Sequence, residues 1–160
     1  MSTGHGRQLL VGTTKGAFVL EPRSDAEGSW SVRGPFCDGW PINHVVGDPA
    51  TGTIWAGGGG AWSGAGIWRS TDGGDTWTLA KLTTGELDAW AAEDPGFAES
   101  IGWEAGEAPF GDEFSQVWSL GLAGERVYAG TKPAALLAIE DGRETDTVAG
   151  AVLSLLSRLP

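Results

Sequence analysis

Short runs of β-branched, aliphatic and aromatic residues alternate with glycine-rich turns along most of this chain. Three segments repeat the same pattern, at residues 9–20, 53–70 and 127–138. Each has a short apolar run that reaches a glycine, then a turn, then a second apolar run, which is the spacing of an antiparallel strand pair. Self-similarity of this kind predicts a repeated β unit.

A third strand is predicted after the pair in the first two copies. Trp30 and Val32 alternate with small polar residues in one copy, as Trp77 and Leu79 do in the next. The strand pleat places alternate residues on one face, so a buried Trp and aliphatic face is expected in both copies. A fourth strand is predicted ahead of the second and third copies, at residues 43–46 and 116–120.

Four antiparallel strands in this order are typical of a β-propeller blade. The predicted fold class is therefore all-β, a partial β-propeller of about two to three four-stranded antiparallel blades in a single unit. The segments are an incomplete blade without its first strand at 7–33, a complete blade at 42–82, an acidic insertion at 83–114, a degraded blade at 115–149 and an apolar tail or short helix at 150–160. A propeller ring has at least four blades, so this chain is too short to close one.

The insertion at 83–114 holds nine acidic residues and no Lys or Arg. A block of like charge without strand patterning predicts a solvated loop. The alternative is a loop that folds over one end of the propeller, because its aromatic residues would otherwise be exposed to water. The carboxylates on this segment that could serve a site are Glu104, Glu107, Asp112 and Glu113.

The net charge of −11 excludes phosphate backbones and anionic membrane surfaces as expected partners. Cys37 is the single cysteine, so no intrachain disulfide can form, and its thiol is expected to be a small buried hydrophobe. The first 16 residues lack the apolar run of a signal peptide, and no segment approaches membrane-spanning length. These features predict a cytoplasmic protein.

Residues 70–77 form the most specific motif of the chain. The defined positions of Ser-x-Asp-x-Gly-x-Thr-Trp are filled by Ser70, Asp72, Gly74, Thr76 and Trp77. Asp72 can accept hydrogen bonds from nearby backbone N–H groups, the glycines can adopt positive φ, and the Trp77 ring can pack against the hairpin. The motif therefore predicts a tight turn between two strands.

On this motif and the repeated strands, the chain resembles the Asp-box or BNR-repeat β-propellers, which include sialidases and sortilin-like receptors. The resemblance implies that the box lies between the last two strands of a blade and has a structural role. A degenerate second box keeps Asp141, Gly142 and Thr145 but has Asp146 in place of the tryptophan.

The sialidase branch of that family would imply three arginines around a substrate carboxylate, a Tyr paired with a Glu as nucleophile, and an Asp acid/base. Tyr128 is the single tyrosine and occupies the repeat position of Leu10 and Trp55, which indicates a packing residue. The arginines form no such set, and His5 and His44 lack metal-ligand spacing. We therefore expect no cofactor and no metal site.

Two functional classes remain. The favoured one is a non-catalytic β-propeller-type binding or scaffold module, a fragment of a longer Asp-box protein, with a carbohydrate or protein ligand. It would self-associate through open blade edges, because unpaired strand edges pair with other chains. The alternative is a sialidase-like glycoside hydrolase whose catalytic blades are missing or supplied by another copy. An ordinary glycosidase would instead use two carboxylates that flank the glycosidic bond, and the insertion carboxylates are the candidates for such a pair.

Overall fold

A computed structural model describes residues 7–24, 27–104, 106–124, 126–140 and 152–158 of the protein. These residues form three antiparallel sheets. The first sheet contains β1 Leu9–Thr13, β2 Gly16–Pro22 and β3 Trp30–Phe36. The middle sheet contains β4 Ile42–Gly47, β5 Ile54–Gly60, β6 Gly64–Ser70 and β7 Thr78–Lys81. The last sheet contains β8 Gln116–Ala123, β9 Arg126–Lys132, β10 Ala135–Glu140 and β11 Val152–Arg158.

The all-β class predicted from the sequence is confirmed, since strands predominate and each sheet is an antiparallel meander. None of the three sheets closes on itself. Strands β1, β5 and β9 are the repeat copies of one strand, and β2, β6 and β10 are the copies of the next. Strands β4 and β8 each pair with the first member of such a copy, whereas β1 has no equivalent neighbour among the described residues.

The sheets pack face to face through two apolar layers. The layer between the first and middle sheets contains the buried residues Ala17, Cys37, Ile42, Ala56 and Trp68. The layer between the middle and last sheets contains the buried residues Ala65, Ile67, Leu82, Phe114, Val117, Leu120, Val127, Ala129, Leu137 and Ile139. The middle sheet is therefore covered on both faces, which gives its strands β5 and β6 their nearly continuous burial.

Close approach of the sheets explains a glycine that the repeats share. A Cβ on Gly57 would lie 2.6 Å from Val117 Cγ1, and one on Gly12 would lie 2.7 Å from the carbonyl oxygen of Ile42. Both distances are shorter than real Cβ contacts allow, so a side chain there would force the layers apart. In the first two copies the repeated glycine is thus a packing requirement between neighbouring sheets.

Hydrogen bonds join the middle and last sheets at strands β4 and β8. The Asn43 side-chain amide donates to the carbonyl oxygen of Val117 at 2.9 Å, and the backbone N–H of Leu120 donates to His44 Nδ1 at 2.8 Å. His44 is therefore a strand residue with a structural role, because its side chain accepts a hydrogen bond that joins β4 to β8.

The insertion at 83–114 differs from the expected loop because it contains two short helices, α1 Glu86–Glu93 and α2 Pro95–Ser100. Two of its acidic residues stabilise the starts of these helices by accepting backbone hydrogen bonds. Asp88 accepts a hydrogen bond from the Gly85 backbone at 2.7 Å, and Asp94 caps α2 by accepting from the Phe97 N–H at 3.0 Å. A cap aspartate followed by proline is a helix-start signal that the charge pattern obscured.

The C-terminal segment also differs from the expected tail or short helix. Residues Val152–Arg158 form β11, which pairs antiparallel with β10 at the outer edge of the last sheet. An isolated apolar run of seven residues does not distinguish strand from helix, and pairing with β10 decides the outcome.

The first sheet departs from the expected burial of its Trp and aliphatic face. Val32 is 61% exposed and Trp30 is 39% exposed, whereas their repeat counterparts Leu79 and Trp77 pack against the layer between the first and middle sheets. The pleat places these residues on one face as predicted, but no sheet among the described residues covers that face in the first sheet.

Candidate functional site

The turn at residues 70–77, which we call the box turn, connects β6 to β7, and its polar side chains form hydrogen bonds within the turn itself. The Ser70 hydroxyl donates to Asp72 Oδ1 and accepts from the Gly74 N–H, both at 2.8 Å. Asp72 also accepts from the backbone N–H groups of Asp75 and Thr76, and from the Thr76 hydroxyl at 2.5 Å. Gly74 adopts a φ of 96°, which accommodates the reversal of the chain.

Two contacts extend from the box to other parts of the fold. The Trp77 indole N–H donates to the Gly74 carbonyl at 3.0 Å, and its ring lies 5.9 Å from the ring of Phe36. Arg33, on β3, donates to Asp75 Oδ1 at 2.6 Å and to the Gly73 carbonyl at 2.9 Å. The turn therefore links the first and middle sheets, and sequence reasoning missed Arg33 because 40 positions separate it from Gly73.

The hydrogen bonds to Asp72 hold the pKa of its carboxyl well below the ordinary 3.8, chiefly through the Thr76 hydroxyl and N–H and then the Ser70 hydroxyl. A depressed folded-state pKa contributes stability above the unfolded-state pKa, and this contribution is lost as pH falls through the folded-state value. We expect Asp72→Asn to be less stable than the wild type at pH 7, with a difference that narrows below about pH 4.

Urea midpoints of the two proteins at pH 7 and at pH 3 measure this difference. A gap of equal size at both pH values would contradict the assignment of an ionised Asp72 as the centre of the turn. The degenerate box at Asp141, Gly142 and Thr145 lies outside the described residues.

A cleft of about 1080 Å³ lies where the β5–β6 turn, strand β7, the segment before β4 and the insertion meet. Its walls carry three tryptophans, Trp40, Trp62 and Trp103. Three carboxylates line it as well, Asp38, Glu104 and Glu107. Of the four insertion carboxylates predicted from the sequence, Glu104 and Glu107 are brought to the cleft, whereas Asp112 and Glu113 are exposed before β8 and do not line it.

Helix α1 is fixed beside this cleft by three sets of contacts. The backbone N–H groups of Glu86 and Leu87 donate to the carbonyls of Ala61 and Trp62 at 2.9 and 3.0 Å. The Lys81 ammonium donates to both carboxylate oxygens of Asp88 at 2.5 and 2.7 Å, and both side chains are largely buried. The insertion is thereby attached to the middle sheet by backbone and charged contacts.

An aromatic chain runs outward from the cleft wall onto the two helices. Trp62 contacts Trp90 edge to face with ring centroids 5.6 Å apart, and Trp90 contacts Phe97 at 6.4 Å. Trp62 is still 48% exposed and Trp90 is 58% exposed. Sequence reasoning did not identify Trp40, Trp62 or Lys81 as site residues. The nine tryptophans of the chain are the signal that could have directed attention to Trp40 and Trp62, whereas no sequence signal distinguishes Lys81.

The charge of the cleft is negative. Lys81 is the cationic residue among the described lining residues, and its ammonium group forms an ion pair with Asp88. Asp38, Glu104 and Glu107 have no further cationic side chain beside them among the described lining residues. The cleft can therefore stack apolar or ring surfaces on tryptophan and accept hydrogen bonds from hydroxyl or ammonium donors.

Other reactive side chains do not line this cleft. Cys37 is 3% exposed with a φ of 68°, and burial raises the pKa of its thiol to about 12, so it lacks the thiolate that nucleophilic chemistry needs. Tyr128 lies on β9 and does not line the cleft. Across the described ranges there is no group of three or more His, Cys, Asp and Glu side chains that could hold a metal ion.

No helix in the described part of the chain has both the length and the apolar character needed to cross a membrane. No protein-family profile matches the sequence, and no curated protein resembles it at a significant level.

Proposed function

We propose that this chain is a non-catalytic β-propeller-type binding module and that it binds a neutral or cationic carbohydrate in the tryptophan-walled cleft. The propeller assignment is supported by three meanders of the same strand order, packed face to face, with the Asp-box turn between the last two strands of the middle sheet. The adjacent positions of β4 and β8 agree with blades arranged around a common axis.

The observation that carries the ligand assignment is the exposure of Trp62 in the wall of a large cleft. Trp62 is 48% exposed, which leaves part of its flat apolar side chain available for a sugar ring to stack on. Ligand sites of this size combine apolar walls with a few oriented polar groups, and here Asp38, Glu104 and Glu107 supply acceptors for sugar hydroxyls.

The charge of the cleft selects among carbohydrates. A sialic acid or uronic acid would bring its carboxylate to a lining that already holds three carboxylates and one internally paired lysine. Like charges repel, so neutral sugars and amino sugars are favoured over anionic ones.

Substitution of Trp62 tests this proposal. We expect a neutral or amino-sugar oligosaccharide to bind the wild type and the affinity of Trp62→Ala to fall at least about tenfold, the equivalent of about 1.4 kcal/mol. Titration calorimetry against a panel of neutral, amino-sugar and sialylated oligosaccharides measures the affinities. The matched control is Trp118→Ala, because Trp118 is 54% exposed on β8 and does not line the cleft.

Equal losses in the two variants would contradict the site, and a panel without any binding saccharide would contradict the ligand class. Binding of a basic peptide alone would assign the cleft to a protein ligand instead.

A glycoside hydrolase is the second candidate, and the presence of Glu104 and Glu107 in the same cleft favours the two-carboxylate type over a sialidase with a tyrosine nucleophile. Hydrolases use two carboxylates that flank the glycosidic bond. Turnover of a fluorogenic sialoside or glycoside that disappears in both Glu104→Gln and Glu107→Gln would establish it. Binding without turnover in the wild type supports the non-catalytic module.

A further inference from the structure

The three sheets follow each other in the same orientation, so each has two non-equivalent faces. We call the face that carries Leu9 and Val11, or their repeat copies, the leading face, and the opposite one the trailing face. In the middle sheet the leading face carries Ile54 and Ala56, and in the last sheet it carries Val127 and Ala129. Each interface in the chain joins a trailing face to the leading face of the next sheet.

The leading face of the first sheet is more exposed than the same face of the middle and last sheets. Ile54 and Ala56 are 2% and 0% exposed, and Val127 and Ala129 are 3% and 0% exposed. Leu9 and Val11 are 51% and 39% exposed at the same repeat positions.

Neighbouring strands extend this apolar area across the first sheet. Leu9 pairs with Leu20, and Leu20 pairs with Val32, which is 61% exposed. Trp30 lies on the same face of β3, two residues before Val32. A contiguous apolar face of this kind on a soluble protein marks an association surface.

The complementary surface is present at the other end of the molecule. The trailing face of the last sheet carries Tyr128 and Gly130, at the repeat positions of Trp55 and Gly57 in the middle sheet. Leu136 pairs with Gly130 on this face and is 36% exposed. Gly121 and Gly130 leave this face without side chains at their positions. Gly57 has the same effect in the middle sheet, where Val117 of the last sheet packs against it.

We propose that a second copy of this chain covers both surfaces, with the trailing face of the last sheet of one copy packed on the leading face of the first sheet of the other. The two interfaces already present within the chain are the templates for this contact. Two copies bring six sheets together, which falls within the four to eight blades of closed propellers, whereas three copies bring nine. The assembly is therefore a two-fold dimer with two equivalent interfaces. It rests on the sheet faces and on the propeller assignment proposed above, and it is independent of the ligand in the cleft.

A charged substitution on either face tests the dimer. Val32→Glu blocks every leading face and Leu136→Glu blocks every trailing face, so each variant alone loses both interfaces. We expect a dimer mass for the wild type at about 10 μM in size-exclusion chromatography with light scattering, and a monomer mass for each variant, because a carboxylate is costly to bury in an apolar contact. The matched control is Ile101→Glu, at a site that is 46% exposed at the end of α2 and outside both faces, which should stay dimeric.

Mixing the two variants distinguishes the head-to-tail arrangement from other dimers. A Val32→Glu copy keeps its trailing face and a Leu136→Glu copy keeps its leading face, so the mixture retains one intact interface and should recover a dimer. Recovery also shows that both variants are folded.

A wild-type monomer at that concentration, or an assembly larger than two copies, would overturn the proposal. It would also fail if Leu136→Glu remained dimeric, or if the mixture stayed monomeric while the circular dichroism spectra of both variants matched the wild type.

Discussion

Trp77→Ala is expected to lower the free energy of unfolding by about 3 kcal/mol. The Trp77 ring packs against the apolar layer between the first and middle sheets and lies 5.9 Å from the Phe36 ring. Its indole N–H also donates to the Gly74 carbonyl within the turn at residues 70–77. Removing the ring would open a cavity between two sheets and release one anchor of the turn. Urea midpoints at constant protein concentration measure the change.

The control for this variant is Trp90→Ala, with an expected loss of less than about 1 kcal/mol. Trp90 is 58% exposed on α1, where its ring contacts are with Trp62 and Phe97. Equal midpoint shifts for Trp77→Ala and Trp90→Ala would show that the box tryptophan is not a core anchor.

Gly58→Ala is expected to lower the free energy of unfolding by about 3 kcal/mol, as Trp77→Ala does, but by overpacking. A Cβ on Gly58 would lie 1.9 Å from the carbonyl oxygen of Pro41 and 2.9 Å from Ile42 Cα. Both contacts are with backbone, which cannot rotate away as the end of a side chain can. The same carbonyl accepts the Gly59 N–H at 2.9 Å, so moving it would also break a hydrogen bond.

Gly60→Ala is the matched control, two residues further along β5. A Cβ there would meet no atom within 4 Å, and we expect a change within about 0.5 kcal/mol. Both variants can be compared by urea unfolding. A Gly58→Ala protein as stable as Gly60→Ala would mean that β4 and β5 do not approach as closely as the structure places them.

The candidate cleft and the exposed leading face lie on different parts of the molecule. Trp62 and the insertion carboxylates form a concave surface at the β5–β6 turn, whereas Leu9, Val11 and Val32 lie on the outer face of the first sheet. Loss of ligand binding in Trp62→Ala and loss of dimer in Val32→Glu are therefore expected to occur independently.

The strands and the turn at residues 70–77 could be predicted from the sequence because the interactions that specify them are local. Period-two alternation places Trp77 and Leu79 on one face whatever packs against them. The hydrogen bonds of Asp72 reach no further than four residues along the chain, so the motif contains its own partners.

The cleft could not be predicted, because its walls come from four segments that span about 70 positions of the chain, from Asp38 to Pro109. Glu104 and Glu107 were identified only as members of an acidic block, together with Asp112 and Glu113. Which two of the four line the cleft depends on how the helices attach to the middle sheet, through contacts such as that between Lys81 and Asp88.

The sequence by itself determined the strand pattern, the turn chemistry and the amphipathic faces, since each depends on neighbours a few residues away. Only the tertiary structure decided that residues 152–158 form a strand on β10, that the insertion forms helices beside a cleft, and that the face of Leu9, Val11 and Val32 is open. The same alternating pattern produces a buried face in the middle sheet and an exposed one in the first. Burial depends on which surface lies opposite, and that is a property of packing between distant segments.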